Sequence, residues 1–143
     1  MSILDLNTGS PAQLHLSLAQ HRVVVACLCA AWCDVCNAYL PKFTALSQQY
    51  PEVLFLWIDI EDQAALVGDL DIDNFPTLLI QHREVVTFFG TMQPDTLQLK
   101  RIIQSQLEQS AEQLQAQANS GELQRSWQAV ANLRQRMAQH TLF

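Results

Sequence analysis

A buried strand followed at once by two closely spaced cysteines is the feature that most constrains the fold of this chain. Val23–Cys29 is an unbroken β-prone apolar run, which predicts a strand covered on both faces. The motif Trp32-Cys33-Asp34-Val35-Cys36 follows it and opens a helical pattern. Two thiols at this spacing can close a small disulfide ring, and the free N–H groups of the first helical turn stabilise a thiolate on Cys33. The motif therefore predicts reversible thiol–disulfide exchange.

Composition and charge exclude several classes of function. The 143 residues are 49% apolar and 15% charged, which is typical of a globular chain with a real core. The net charge is −6 and there is no run of Lys or Arg, so we expect neither nucleic acid nor an anionic membrane as a partner. We expect no signal peptide and no bilayer-spanning segment, because the apolar runs are too short. The expected location is the cytoplasm, where a C-x-x-C pair is catalytic or metal-binding rather than a structural staple.

The order of the predicted elements indicates an α/β fold. Strands and helices alternate at first, and the last two strands are joined through Gln81-His82-Arg83-Glu84 as a hairpin. Parallel crossovers followed by a hairpin predict a mixed central sheet flanked by helices. The predicted strands are 3–6, 23–29, 53–58, 77–80 and 85–89, and the predicted helices are 11–20, 34–50, 62–69, 94–118 and a last one ending near 139.

Several of these features together resemble the thioredoxin family. They are the buried strand, Ala31-Trp32-Cys33-x-x-Cys36, Pro41 five residues further on, Phe75-Pro76-Thr77, and a hairpin ending in Gly90. The resemblance covers residues 1–108 and implies a thioredoxin fold and a protein disulfide oxidoreductase with no metal and no organic cofactor. It also implies protein disulfides as substrates, and a reductase or a low-molecular-weight thiol as electron donor.

The resemblance assigns a role to each residue of the motif. Cys33 would be the nucleophile that attacks a substrate disulfide, and Cys36 would resolve the mixed disulfide. Phe75–Pro76 would be a cis peptide packed against the sulfurs, leaving the backbone of Phe75 free to pair with an extended substrate. The expected substrate-binding residues are Trp32, Asn74, Phe75, Pro76 and Gly90.

Four residues depart from the family pattern and are expected to modulate the site. Asp34 and Val35 stand where the family usually has Gly-Pro, and the charge of Asp34 disfavours a thiolate on Cys33. The resemblance places Cys27 where the family often has a buried acid, and Trp57 where it commonly has a lysine. A buried thiol is a poor proton acceptor, so we expect proton transfer to be left to water. The anionic neighbour favours a reductant over an oxidant.

Cys27 and Cys29 leave alternatives open. Both are expected to be small buried hydrophobic side chains on one face of the strand. They could instead complete a zinc site with Cys33 and Cys36, although the strand would have to bend to close a tetrahedron. In a further alternative, Cys27 lies below Cys36 and exchanges with it, so that the oxidised bond is either Cys33–Cys36 or Cys27–Cys36.

Polar residues near the motif are expected to lie at the surface. His82 is expected to be a solvated turn residue. An acidic stretch without Lys or Arg is expected to be a solvated rim that favours basic or neutral partners. It consists of Asp59, Glu61, Asp62, Asp69, Asp71 and Asp73.

Residues 109–143 are expected to form a C-terminal helical extension. Two apolar stripes joined by Asn119-Ser120-Gly121 predict a helical hairpin that covers the domain, forms a homodimer or docks a partner. The competing function is therefore a non-enzymatic interaction module that works through these helices, with vestigial cysteines. The stripes are Ile103, Leu107, Ala111, Leu114 and Ala118, and then Leu123, Trp127, Val130, Leu133 and Met137.

Overall fold

Five strands form one mixed sheet at the centre of the molecule. The computed structural model describes residues 3–6 and 10–139. Residues 1–2 and 7–9 of the expected first domain, and residues 140–143 of the expected C-terminal extension, lie outside the described residues. The strand order is β1-β3-β2-β4-β5, with β1, β3 and β2 parallel and both β4 and β5 antiparallel to their neighbours. The strands are β1 (Ile3–Asp5), β2 (Val23–Cys29), β3 (Val53–Asp59), β4 (Thr77–His82) and β5 (Val85–Thr91).

Helices cover both faces of this sheet, as the sequence predicts. In the described part of the chain they are α1 (Pro11–Gln20), α2 (Asp34–Gln49), α3 (Ala64–Val67), α4 (Leu97–Glu108), α5 (Ala111–Ala118), α6 (Glu122–Val130) and α7 (Leu133–Gln139). No helix among those residues is both long and apolar enough to cross a membrane.

The side chains of β2 alternate between two hydrophobic clusters, because successive residues of a strand point to opposite faces. Val24, Ala26 and Leu28 belong to a cluster with residues of α1, α3 and α7. Val23, Val25, Cys27 and Cys29 belong to the cluster on the other face, formed with α2 and α4. Every residue of β2 is buried, which is why the strand has no polar position. Both cysteines of the strand therefore point toward α2.

The hairpin between β4 and β5 is longer than expected, and the prediction of a solvated His82 is wrong. Gln81 and His82 continue the ladder by pairing with Val86 and Val85, and only two residues remain for the turn. Arg83 in that turn has a φ of 53°. His82 is buried, with 6% of its surface exposed, because it lies inside the sheet and pairs with Val23 of β2.

The two long helices predicted near the C-terminus are each interrupted. Ser110 caps α5 with a capping box, in which its side chain accepts from the Gln113 N–H and the Gln113 side chain accepts from the Ser110 N–H. Asn132 precedes α7, and its side-chain oxygen accepts from the Gln135 N–H. Continuous apolar stripes predicted continuous helices, but these polar side chains satisfy the N–H groups of new helix starts.

The C-terminal extension is more than the expected helical hairpin, because its three helices wrap around the β5 edge of the sheet. The helices α5 and α6 contact each other and β5, and α7 reaches the face opposite α4. Leu133 and Met137 are buried in the cluster with α1 and α3, whereas Leu123 and Val130 are exposed. The extension therefore covers the domain. Dimerisation, docking of a partner and a division at residues 108 and 109 stay predictions.

Candidate functional site

Four strand ends meet at the edge of the sheet from which α2 begins. Cys29 at the end of β2 pairs with Asp59 at the end of β3, and Leu28 pairs with Thr77 at the start of β4. Thr77 in turn pairs with Thr91 at the end of β5. The cysteine motif and the Phe75-Pro76 segment therefore lie at the same edge of the sheet.

The disulfide at this edge joins Cys29 to Cys36, whose Cα atoms are 5.8 Å apart. Cys33 and Cys27 are free thiols. The expected Cys33–Cys36 bond is not the bond in this structure, and neither is the alternative Cys27–Cys36 bond. Cys29 is the last residue of β2 and points toward the first turn of α2, where Cys36 is buried, whereas Cys27 lies about 6.6 Å further back along the strand.

The same disulfide argues against the alternative zinc site of Cys27, Cys29, Cys33 and Cys36. A cysteine binds zinc as a thiolate, so Cys29 and Cys36 cannot be zinc ligands while they are bonded to each other. Over residues 3–6 and 10–139 there is no group of three or more His, Cys, Asp or Glu side chains that could hold a metal ion.

Cys33 occupies the N-cap of α2 and is half-buried. Its carbonyl accepts from the Asn37 N–H at 3.1 Å, and its own N–H donates to the Ala30 carbonyl at 3.0 Å. These bonds fix the backbone of Cys33 at the start of α2, which is the positive end of the helix dipole. Asp34 and Val35 follow it on the exposed side of the first turn.

An exposed aromatic surface borders Cys33. Trp32 is 67% exposed, and its ring meets Phe75 edge to face with centroids 5.9 Å apart. The Phe75–Pro76 peptide bond is cis, and Pro76 is buried. The Phe75 N–H donates to the Asn74 side-chain oxygen at 2.9 Å, so it is not free as expected. A substrate strand that accepts from this N–H would have to displace the Asn74 side chain.

Gly90 lies near Pro76 through the strand register. It pairs with Leu78 in the ladder between β4 and β5, and the Met92 N–H donates to the Pro76 carbonyl at 3.2 Å. A side chain at Gly90 would meet the Phe88 ring at 3.6 Å, which is an ordinary contact. Close packing therefore does not require a glycine at this position, and a substrate-binding role for Gly90 stays a prediction.

Cys27 and Trp57 are neighbours, as expected, because they pair across β2 and β3. Burial raises the pKa of the Cys27 thiol well above its ordinary value, so this thiol is neutral at physiological pH. Its sulfur lies 3.7 Å from the Cys29 sulfur. Burial, together with the nearby charge of Asp95, also raises the pKa of Tyr39 on the facing helix. Both groups are therefore protonated at physiological pH.

Asp59 is a structural anchor of the site that the sequence did not reveal. It is buried rather than solvated, and its carboxylate accepts from the N–H groups of Ala31 at 2.9 Å, Glu61 at 2.9 Å and Asp62 at 3.1 Å. These bonds tie the loop before Trp32 to the end of β3. The surface rim expected from the acidic stretch therefore loses this member, and another, Asp69, is paired with Arg136.

Cys29 is the other site residue whose role sequence reasoning missed. A signal was available, because Cys29 shares a face with Cys27 and stands last in its strand, next to the helix that carries Cys36. The structure thus brings Trp32, Cys33, Phe75 and Pro76 to one edge of the sheet, together with a buried disulfide.

Comparison with known proteins identifies relatives of this arrangement. The thioredoxin family model matches residues 8–117. The thioredoxin-like protein CXXS1 of Oryza sativa subsp. japonica is 34% identical over 86 residues, which are 59% of this chain and 63% of the relative. The thioredoxin domain-containing protein 8 of Rattus norvegicus is 34% identical over 89 residues, which are 62% of this chain and 65% of the relative. The chain thus spans a little under two thirds of these curated relatives.

Solved structures match over a larger share of the chain. Thioredoxin O2 from Arabidopsis thaliana in its oxidised state has a TM-score of 0.57 and 26% identity, covering 73% of this chain and 93% of that one. Thioredoxin from Trypanosoma brucei brucei has a TM-score of 0.62 and 18% identity, covering 76% and 93%, and supports the fold alone. The expected thioredoxin fold is confirmed. Because the family model matches most of its length, the chain belongs to the thioredoxin family.

Proposed function

We propose that this chain is a thiol–disulfide oxidoreductase that reduces protein disulfides, with Cys33 as the nucleophile and Cys36 as the resolving cysteine. One observation carries the proposal. Cys33 is a free, half-exposed thiol at the N-cap of α2, beside the exposed ring of Trp32. A thiolate at that position can attack a disulfide in a protein that contacts this surface.

The reaction begins from the form in which Cys36 is reduced. The Cys33 thiolate attacks one sulfur of the substrate disulfide, and the other substrate sulfur leaves as a thiolate. Cys36, three residues further along the helix, then attacks the Cys33 sulfur and releases the second substrate thiolate. The Cys36 proton passes to water, because the nearby Cys27 on the facing strand is a buried, neutral thiol and not a carboxylate that could accept it.

The surface around Cys33 fits an extended polypeptide substrate. Trp32, Val35 and Leu40 are exposed apolar side chains on this side of the molecule, and Phe75 packs against Trp32. Displacement of the Asn74 side chain by a substrate carbonyl would let the Phe75 N–H pair with the substrate backbone. Asp34, Asp71 and Asp73 are exposed and would favour basic or neutral substrates, an effect that salt screens.

The wider biological setting follows from this chemistry. A reductase or a low-molecular-weight thiol is the proposed electron donor, since each substrate reduction leaves a disulfide in the chain. A cytoplasmic location agrees with a reducing role. The packing of the C-terminal helices weighs against a purely non-enzymatic interaction module, because α7 buries Leu133 and Met137 in the chain's own core.

Insulin reduction by dithiothreitol tests the proposal. We expect the protein to accelerate this reaction and Cys33→Ser to lower the rate to that of dithiothreitol alone. Ala38→Ser, an exposed substitution in the same helix, is the matched control and should keep the wild-type rate. Full activity in Cys33→Ser would overturn the assignment of Cys33 as nucleophile.

A further inference from the structure

The sulfur of Cys36 has two potential partners. Cys33 precedes it by three residues, so both lie on one side of the first turn of α2. Cys29 lies beneath the same turn and is bonded to Cys36 in the structure. The two bonds exclude each other, because a sulfur forms one disulfide at a time. Whichever partner takes Cys36 leaves the other as a free thiol.

The two alternative bonds differ in their access to other molecules. Cys29 is 1% exposed and Cys36 is fully buried, so a protein-sized reductant cannot contact the bond between them. Cys33 is half-buried and lies at the surface beside Trp32. A disulfide that includes Cys33 is therefore reachable from outside, whereas the Cys29–Cys36 disulfide is not.

We propose that Cys29 is a third catalytic cysteine, which takes the disulfide from the Cys33–Cys36 pair by internal exchange. The Cys29 thiolate attacks the Cys36 sulfur, the Cys29–Cys36 bond forms, and the Cys33–Cys36 bond breaks with its electron pair on Cys33. The Cys29 proton passes to the departing Cys33 sulfur, directly or through water. The oxidation state of the chain does not change in this step. The inference rests on the proposed function, which supplies the Cys33–Cys36 bond.

The exchange would restore the nucleophile while the chain is still oxidised. Cys33 becomes a thiol again at the helix N-terminus, and the disulfide lies under the protein surface. The reverse attack of Cys33 on Cys36 returns the disulfide to the surface, where the electron donor can reduce it. The buried bond would therefore be opened through Cys33 and not by direct attack from solvent.

Cys27 is not the third cysteine, although it lies on the same strand face. It is a free thiol in the structure, and its sulfur contacts Cys29 at 3.7 Å rather than bonding to Cys36. Cys29, and not Cys27, is the strand cysteine at the end of β2 that faces the first turn of α2, where Cys36 lies. A substitution at Cys27 is therefore a matched control for the same substitution at Cys29.

Disulfide mapping of the full chain tests the inference. The protein is oxidised with oxidised dithiothreitol, quenched in acid, unfolded and labelled with N-ethylmaleimide. Cleavage after Arg22 and Lys42 and before Asp34 separates residues 23–33, with three cysteines, from residues 34–42, with Cys36. A bond to Cys36 links these two peptides, and fragmentation of the linked pair shows which cysteines carry the label.

The expected label distinguishes the two bonds. In most oxidised wild-type molecules Cys33 and Cys27 should carry label while Cys29 is linked to Cys36. In Cys29→Ala the link should move to Cys33, and in Cys27→Ala it should remain at Cys29. Label on Cys29 in most oxidised wild-type molecules would overturn the inference, and so would a Cys29→Ala variant without any link.

A time course separates this inference from the proposed function. Molecules quenched during reaction with insulin should contain the Cys33–Cys36 bond first and the Cys29–Cys36 bond later. If Cys33→Ser abolishes insulin reduction but Cys33–Cys36 remains the final bond, the proposed function stands and the inference falls. If Cys33→Ser keeps full activity, both fall. A Cys29–Cys36 bond that forms without any preceding Cys33–Cys36 bond would overturn the exchange step.

Discussion

At the residue scale, His82 makes the stability of the fold sensitive to pH. The ring is buried at the end of β4. Burial lowers its pKa from the ordinary value of 6.5, and the nearby charges of Arg22, Arg83 and Arg134 lower it further, although a backbone hydrogen bond opposes them. The folded state therefore resists protonation of this ring.

We predict that acidification destabilises the protein through His82. The unfolded chain binds the proton near pH 6.5, whereas the folded chain binds it only at a lower pH. The stability is fully present above the unfolded pKa and falls as the pH drops below it, because the unfolded state then carries more protons. Urea unfolding at about pH 7.5 and about pH 5.5 should show this fall, and His82→Gln should flatten it. An equal fall in the variant would contradict the prediction.

The residues of the site that could be predicted from sequence lie next to the cysteine motif or next to Pro76. The resemblance to the thioredoxin family pointed to Trp32, Cys33 and Pro76, because each stands in a short motif that can be read directly from the chain. Cys29 and Asp59 depend on contacts made by the tertiary fold. The Asp59 carboxylate accepts from the Ala31 N–H, 28 residues away, and no local pattern distinguishes that carboxylate from an exposed one.

At the element scale, a glutamine side chain closes the exposed edge of the sheet. The Gln128 amide donates to the Val86 carbonyl at 2.7 Å and accepts from the Val86 N–H at 2.8 Å. These are the two bonds that a neighbouring strand would make with β5. An unpaired edge strand is a template for association with other chains, so α6 protects β5 while it covers it.

We predict that Gln128→Ala loosens this edge. Loss of the two bonds leaves the Val86 N–H and carbonyl without these partners, which should cost about 1–3 kcal/mol of unfolding free energy. Hydrogen exchange at the Val86 amide should become faster, whereas exchange in β2 at the centre of the sheet should change only with global stability. Gln104→Ala, an exposed substitution in α4, is the control. Unchanged exchange at Val86 would refute the role of Gln128.

Among the elements, the strands were more predictable than the helix ends. The buried strand β2 is apolar throughout and β3 is apolar up to its last residue, Asp59, so their patterns place them directly. The breaks between α4 and α5 and between α6 and α7 interrupt apolar stripes that run on past them. Their positions depend on the side chains of Ser110 and Asn132, which satisfy new helix starts. The spacing of apolar residues carries no information about single polar contacts of this kind.

At the scale of the whole molecule, the C-terminal extension completes one face of the sheet. It leaves α4 on one face, passes the β5 edge through α5 and α6, and reaches the opposite face as α7. Polar contacts hold the start of α7 against the sheet and α1. The buried Gln81 side chain bonds to Asn132 and to the Leu133 N–H, and Arg134 donates to carbonyls at the end of α1. The extension therefore shares a core with the central sheet.

We predict that one leucine of this extension is as important for stability as a residue of the central sheet. Leu133 is 1% exposed and lies in the cluster with α1 and α3, so Leu133→Ala should lower the free energy of unfolding by about 2–5 kcal/mol. Leu123→Ala is the matched control, because this leucine is 61% exposed, and it should change stability by no more than about 0.5 kcal/mol. Urea denaturation followed by circular dichroism measures both variants. If Leu133→Ala lowers the free energy of unfolding no more than Leu123→Ala does, α7 is not anchored in the core. Residues 1–108 would then be stable without the packing of the C-terminal extension.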